Sequence, residues 1–172
     1  SFRYISQGKT LYHSAGDGKL SSAVFSIYGK ELLRSMREVD GHQGGVLLRG
    51  FVGVGDVARG NRSHEHFFLN GRTMKSPILA AAVEGACRQR ITIGRFPMCI
   101  LYITMPYENV DVNVHPAKTE VKFLNEKAVF DCVHYGVLGA LNKTPDRPQV
   151  EFKKANPVGG DAHIAPPTAP VA

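Results

Sequence analysis

A run of apolar residues without a polar face most constrains the fold of this chain. Residues 45–54 read GVLLRGFVGV, so both faces of an extended strand over this run are apolar except at Arg49. Such a strand is unsuited to a solvent-exposed edge, and the pattern predicts a central position in a sheet. Residues 98–105 form a second continuous apolar run and are also predicted to be a strand.

Three segments carry apolar residues at helical spacing. The first follows the turn Gly16-Asp17-Gly18, and Gly29 is expected to end it. Ser76-Pro77 opens the second, with the serine as cap and the proline in the first turn, and Asn125 caps the third. The predicted inner faces are Leu20, Ala23, Val24, Ile27 and Tyr28 in the first helix, Ile78, Leu79, Ala82, Val83 and Ala86 in the second, and Val129, Cys132, Val133, Val137, Ala140 and Leu141 in the third.

Further strands are predicted before and between these helices. Residues 2–6 and 9–13 alternate like the two arms of a hairpin, and residues 32–38 fit a strand with a polar end. Residues 64–69 fit another strand, which turns at Asn70-Gly71, a strong tight-turn signal. The order of elements predicts an α+β fold, a two-layer sandwich of a mixed sheet with helices on one face.

Charge and cysteine content narrow the classes of function. The net charge is +6 and the isoelectric point about 9.3, a balance that favours an anionic partner such as nucleic acid. No apolar run approaches the roughly 20 residues of a membrane-spanning helix, and the first residues do not resemble a signal peptide. Cys87, Cys99 and Cys132 lie in apolar stretches and predict reduced, packed thiols of an intracellular protein.

Two local motifs imitate ligand sites. Gly53-x-Gly55-x-x-Ala58 follows a strand like a dinucleotide fingerprint, but the next residues, RGNR, do not suit the helix that should receive a pyrophosphate. His64 and His66 share a strand face that a metal ion could use, although no third ligand is near in sequence. Turn glycines and ordinary strand histidines are the favoured interpretations.

The segment from 110 to 123, VDVNVHPAKTEVKF, is the most informative part of the chain. It predicts two strands joined by a loop that includes Asn113, His115, Pro116, Ala117 and Lys118. Because proline fixes φ and stiffens the loop, the lysine should be held at a defined place. Its compact ammonium group suits a phosphate, but on the chemistry alone a solvated lysine in a turn is the favoured interpretation.

This segment closely resembles the NVHPAK signature of the MutL family of DNA mismatch-repair proteins. Residues 16–29, from GDG to IYG, and residues 66–72, HFFLNGR, are similar to two other stretches of that family in the same order. The surroundings of residues 94–97, GRFP, are similar to a family helix and strand. The resemblance covers about Phe2 to Leu141, and its most specific part is the segment from 110 to 123.

The resemblance implies a transducer domain, the second domain of the family's N-terminal ATPase region, with a left-handed βαβ crossover like the second domain of gyrase B. Residues 1–14 would leave the ATPase domain and form the first strands, and residues 15–142 would be the transducer. Residues 143–172 would begin a proline-rich linker, which its composition also predicts to be disordered. Lys118 would reach the γ-phosphate of ATP held by the neighbouring domain, and nucleotide binding would then drive dimerisation around DNA.

The resemblance also implies partners and cofactors. These are the chain's own N-terminal ATPase domain, a second MutL protomer, DNA bound without sequence preference and a MutS-type mismatch-recognition protein, with no membrane. ATP and magnesium belong to the complete protein, in the cytoplasm of a bacterium or the nucleus of a eukaryote. The acid and glycine-rich lid of the family's ATPase domain are missing from the sequence, so the chain alone is predicted not to hydrolyse ATP.

Five basic residues are candidates for contacting DNA. They are Arg72, Lys75, Arg88, Arg90 and Arg95. Pro77 stands where some relatives carry a basic residue, and surface solubility is an alternative role for each arginine. A stand-alone nucleic-acid-binding module of the same fold would carry similar charge and remains the alternative function. A small-molecule kinase of related fold would need a glycine-rich phosphate loop, which the sequence lacks.

Overall fold

A computed structural model of the chain describes residues 2–111 and 121–143. Residues 112–120, which include the predicted lysine loop, and the proline-rich segment from 144 onward therefore lie outside the described residues. The elements are β1 Phe2–Ser6, β2 Lys9–Ser14, α1 Leu20–Ser35, β3 Met36–Gln43, β4 Val46–Gly53, β5 Glu65–Leu69, β6 Arg72–Met74, α2 Pro77–Cys87, β7 Met98–Thr104, β8 Val110–Asp111, β9 Lys122–Phe123 and α3 Glu126–Asn142. In the described ranges no helix is both long and apolar enough to cross a membrane.

The main sheet has five strands in the order β3-β4-β7-β5-β6. β5 runs parallel to β7 and the other neighbours are antiparallel, which confirms the predicted mixed sheet in an α+β fold. β4 lies between β3 and β7, as its apolar sequence predicts. β1 and β2 form the predicted hairpin outside this sheet. The left-handed crossover stays a prediction.

The larger hydrophobic core joins α2 and α3 to one face of the sheet. Alternate residues of the strands, such as Leu48 of β4 and Leu101 of β7, are fully buried there. Leu79 of α2 and Val133 of α3 cover them from above. The predicted inner faces of both helices are buried except at Ile78, which is half-buried. Burial of this face is the main source of stability for the fold.

α1 packs on the opposite face of the sheet. Its Val24 is 2% exposed and contacts a second cluster with Phe51 of β4 and Ile100 of β7. Because residues alternate along a strand, these side chains point away from the larger core. The prediction of helices on one face therefore holds for α2 and α3, whereas α1 uses the apolar second face of the central strands.

The region around Gly29 differs from the prediction. Gly29 has φ of 83° and kinks the helix, but α1 continues to Ser35. The predicted strand over 32–38 is wrong in its first part, since β3 begins only at Met36. The helix resumes because Leu32 and Leu33 pack against the second cluster, a tertiary contact that a local stop signal does not report. Ile27, predicted to face inward, is 52% exposed.

Candidate functional site

The strands that flank the lysine loop form a short antiparallel ladder. Val110 pairs with Phe123, and Asp111 pairs with Lys122. The Phe123 side chain is 2% exposed and belongs to the larger core. Below the ladder, the Leu124 amide donates to the carbonyl of Asn109 over 3.0 Å. Both ends of the segment from 112 to 120 therefore start from a base that is fixed to the body of the fold.

The Asn70-Gly71 turn is hydrogen-bonded to the C-terminal end of β7, from which the chain continues to the β8–β9 ladder. The Asn70 amide donates to the Ile103 carbonyl over 2.9 Å. Its side chain makes two hydrogen bonds with the backbone of Met105, donating over 2.9 Å and accepting over 3.0 Å. Asn70 has a positive φ of 47°, which asparagine tolerates better than most residues. The turn and the loop base, distant in sequence, thus lie at the same end of the sheet.

The residues predicted to contact the γ-phosphate lie outside the described part of the chain. These are Lys118 and its loop neighbours Asn113, His115, Pro116 and Ala117. What the structure describes is their support, the β8–β9 ladder and the α3 cap. In that cap, the Asn125 side chain accepts from the Ala128 amide over 3.0 Å. Their contact with nucleotide stays a prediction.

The five basic residues predicted to contact DNA do not form one cluster. Arg72 lies opposite Leu69 in the β5–β6 hairpin, at the same end of the sheet as the loop base. Lys75 lines a hollow of about 780 Å³ between this hairpin and α2. Arg88 and Arg95 line a separate hollow of about 350 Å³ beyond the end of α2. These residues are close to one another in the sequence, but the β5–β6 hairpin and α2 place them on different parts of the surface.

Arg90 is held at the end of α3. Its guanidinium donates to the Leu141 carbonyl over 2.7 Å and to the Asn142 side chain over 2.6 Å. A cation at a helix C-terminus satisfies unpaired carbonyls and is attracted by the helix dipole. Arg90 therefore has a structural role, which the sequence spacing did not reveal.

The two histidines meet a tyrosine rather than a third metal ligand. The His64 and His66 rings lie 6.5 Å apart, and His66 Nε2 is 3.4 Å from the Tyr28 hydroxyl of α1. Burial lowers the pKa of His66 and favours its neutral form. Among residues 2–111 and 121–143, no group of three or more histidine, cysteine, aspartate or glutamate side chains is placed to hold a metal ion.

Two neighbouring carboxylates near α2, Glu84 and Glu65, were not predicted from the sequence. Both oxygens of Glu84 accept from Arg62, over 2.5 and 3.1 Å, and the Arg62 guanidinium lies 4.8 Å from the centre of the Phe96 ring. Nearby Glu65 is half-buried at the start of β5. Burial, and then the charge of Glu84, raise the pKa of Glu65 to about 7. The chain is therefore expected to hold this carboxyl in an unfavourable charged state above neutral pH.

We expect Glu65→Gln to stabilise the chain at pH 8 but hardly at pH 5. The pKa of Glu65 is higher in the folded chain than its ordinary 4.5, so its favourable contribution is present below pH 4.5 and is lost as pH rises through about 7. Because the side chain is only half-buried, the gain at pH 8 should be about 1 kcal/mol. Urea unfolding at both pH values measures it, with exposed Glu31→Gln as the control. A gain that is equal at both pH values would contradict the raised pKa.

The three cysteines are buried and free, as predicted. Burial raises the pKa of Cys87 to about 12 and raises the pKa of Cys99 well above its ordinary value, so neither thiol is disposed to ionise. Cys132 donates to the Val46 carbonyl at 3.6 Å. All three act as small apolar packing residues.

A sequence profile of the family described as "DNA mismatch repair protein, C-terminal domain" matches residues 24–142. The chain belongs to the MutL family of DNA mismatch-repair proteins. The match includes the Asn70-Gly71 turn, the segment from 110 to 123 and all of α3. The resemblance inferred from these motifs is therefore confirmed at the level of the family.

Individual relatives of this MutL-family chain are DNA mismatch-repair proteins MutL of clostridia. The MutL protein of Clostridium tetani is 38% identical over 133 residues, which cover 77% of this chain and 22% of that protein. The MutL protein of Clostridium acetobutylicum is 36% identical over 148 residues, covering 84% of this chain and 24% of that protein. The chain thus spans about a quarter or less of the length of these relatives.

A solved structure supports the fold. The crystal structure of the N-terminal domain of a DNA repair protein superimposes with a TM-score of 0.62 at 18% identity. The match covers 76% of this chain and 43% of that one. At this identity the likeness concerns the fold of the MutL-family chain and not its chemistry.

Proposed function

We propose that this chain is the transducer domain of a MutL-type mismatch-repair protein, which senses ATP bound by a neighbouring domain and contributes DNA binding without sequence preference. The observation that carries the proposal is the lysine-bearing segment from 110 to 123, which lies within the family match and whose flanking strands β8 and β9 pair with each other. A lysine on a stiff loop with an anchored base suits contact with a terminal phosphate. The proposed boundaries of this domain are residues 15–142.

The base explains how such a contact would reach the rest of the domain. β9 ends at Phe123 in the larger core, and two residues later Asn125 caps α3. A loop that is drawn toward a phosphate pulls on β9, and β9 is continuous with the helix that covers the sheet. Nucleotide binding then favours one arrangement of the loop and α3, which is a shift between two states rather than chemistry within this chain.

The complete ATP site belongs to another part of the protein. The described residues do not group three metal-ligating side chains, and the chain has no glycine-rich phosphate loop. In this proposal the chain adds Lys118 to a nucleotide that its neighbouring ATPase domain holds. The remaining partners are a second MutL protomer, DNA and a MutS-type protein.

Weak DNA binding by the chain itself can be tested directly. We expect the 172-residue chain to bind single- and double-stranded oligonucleotides of unrelated sequence with similar affinity at low salt. Each phosphate contact should add about 0.7 to the steepness of the logarithmic salt dependence for single strands and about 0.9 for duplexes. A fluorescence anisotropy titration over a range of salt concentrations measures this. An absence of binding at the lowest salt would remove DNA contact from the proposal and restrict the function to nucleotide sensing.

A further inference from the structure

The end of the sheet opposite the loop base carries a group of positive side chains. Met36 of β3, Gly53 of β4 and Met98 of β7 lie side by side there, because β3 and β7 begin where β4 ends. We call the cations around this end the basic ridge. It consists of Arg37, Arg88, Arg90, Arg95 and Lys143.

A short turn after α2 forms the centre of the basic ridge. Residues 88–90 form one 3-10 turn, and its two arginines line different hollows. Arg88 lines a hollow of about 350 Å³ together with Arg95. Arg90 lines a hollow of about 370 Å³ together with Arg37 and Lys143. This single turn therefore contributes an arginine to each of the two positively charged hollows.

The positive charge of the basic ridge is poorly compensated. Among the described residues that line the two hollows, Glu84 is the one carboxylate, and Arg62 already occupies both its oxygens. Arg90 is also fixed in place by its two hydrogen bonds to the end of α3. Cations with few carboxylates beside them attract a polyanion. Arg90, which its hydrogen bonds already order, would lose little entropy when it binds one.

An isoleucine projects from the same surface. The Arg95 amide donates to the Thr92 carbonyl over 3.0 Å, and Gly94 has φ of +81°, so residues 92–95 form a tight turn. Ile93 sits at the tip with a relative exposure of 101%. Single exposed apolar residues are common and need no explanation by themselves. Here the tip is held by a hydrogen-bonded turn and is followed within two residues by an arginine of the basic ridge.

We propose that the basic ridge is the nucleic-acid-binding surface of this chain, and that Ile93 packs against an unstacked base while the arginines contact phosphates. This rests on the DNA contact of the proposed function and assigns it to the end of the sheet away from Arg72. Apolar side chains that insert beside bases are a recurring partner of arginine contacts to the backbone. Charge complementarity favours nucleic acid as the occupant, since five cations and one carboxylate are found among the described residues that line the two hollows.

Charge reversal within the basic ridge tests the phosphate contacts. The variants Arg88→Glu/Arg95→Glu and Arg37→Glu/Lys143→Glu leave Arg90 and its helix contacts intact. Each should raise the Kd for a labelled single-stranded poly-dT oligonucleotide at least about tenfold at low salt, and lower the salt slope by about one for each lost contact. Lys9→Glu/Lys30→Glu makes the same change of net charge at exposed positions outside the ridge and should change the Kd less than about twofold. Circular dichroism checks that each variant is folded.

Two further comparisons test whether DNA instead binds at Arg72 and Lys75, and whether Ile93 contributes to binding. If Arg72→Glu/Lys75→Glu abolishes binding while both ridge variants bind normally, the ridge is wrong although the proposed function stands. If the wild-type chain binds no oligonucleotide, the DNA part of the proposed function fails, and the ridge with it. Ile93→Ser should weaken single-strand binding by about tenfold without a change in the salt slope. Ile27→Ser, at an exposed position of α1, should not weaken it.

An acidic protein is the other polyanion that this surface could attract. Polyglutamate of matched charge is therefore used as a competitor against the labelled oligonucleotide. We expect it to compete weakly and equally in wild type and Ile93→Ser, since it offers no base to the isoleucine. Competition as strong as that of unlabelled poly-dT would overturn the assignment to nucleic acid.

Discussion

Gly50→Ala is expected to lower the free energy of unfolding by more than about 3 kcal/mol, a large part of the roughly 5–15 kcal/mol that stabilises a typical domain. Gly50 lies in the middle of β4, where Val39 of β3 and Leu101 of β7 pair with it on either side. A Cβ added there would lie 2.0 Å from the Ile100 carbonyl oxygen and 2.9 Å from Leu101 Cα. Both are backbone atoms, so a change of rotamer cannot relieve the overlap. The central strands would have to separate, with loss of ladder hydrogen bonds and core contacts.

Urea denaturation followed by circular dichroism measures this effect. Gly139→Ala in α3 is the matched control, because a Cβ at Gly139 meets no other atom within 4 Å. Alanine also favours a helix over glycine, so this variant should be more stable than wild type by about 0.5–1 kcal/mol. If Gly50→Ala instead unfolds within 1 kcal/mol of wild type, the described register between β4 and β7 is incorrect.

Lys118→Ala in the full-length protein is expected to slow ATP hydrolysis by about tenfold to a hundredfold and to abolish dimerisation driven by nucleotide. In the proposed function this ammonium group neutralises the terminal phosphate, and losing one preorganised charge contact of this kind has effects of that size. Steady-state hydrolysis gives the first readout, and sedimentation with a non-hydrolysable ATP analogue gives the second. The isolated chain should be as stable as wild type, because the substitution leaves the β8–β9 ladder and Phe123 untouched.

Two companion variants make this result specific. Lys122→Ala removes the exposed lysine of β9, which pairs with Asp111 across the ladder, and should leave hydrolysis and dimerisation nearly unchanged. Lys118→Arg keeps the charge but replaces a compact ammonium with a planar group, so partial activity is expected. Normal turnover and normal dimerisation of Lys118→Ala would disprove the assignment of this lysine as the phosphate sensor.

Elements whose signals are local were predicted well from the sequence. α2 begins where Ser76-Pro77 predicts it, and the Ser76 side chain accepts from the Leu79 amide at 3.4 Å. Asn125 caps α3, and Asn70-Gly71 forms the predicted turn. Such signals succeed because a cap or a turn is stabilised by atoms a few residues apart, so neighbouring residues carry the information.

The segment around Gly29 shows where local signals fail. A glycine with positive φ is a good helix terminator, and the predicted helix stopped there. The helix nevertheless resumes, since packing of Leu32 against the sheet stabilises the second part. Contacts with a distant strand outweighed the local preference, as they often do.

Apart from the region around Gly29, the sequence by itself determined the main helices and strands, the central place of β4 and, through the segment from 110 to 123, the family of the chain. Only the tertiary structure decided that α1 covers the second face, that β5 lies parallel to β7 and that the predicted basic residues divide between two ends of the sheet. It also decided the raised pKa of Glu65, which comes from burial beside Glu84. The physical reason is that charge, burial and strand order depend on which distant segments meet, whereas caps, turns and periodicity are complete within a few consecutive residues.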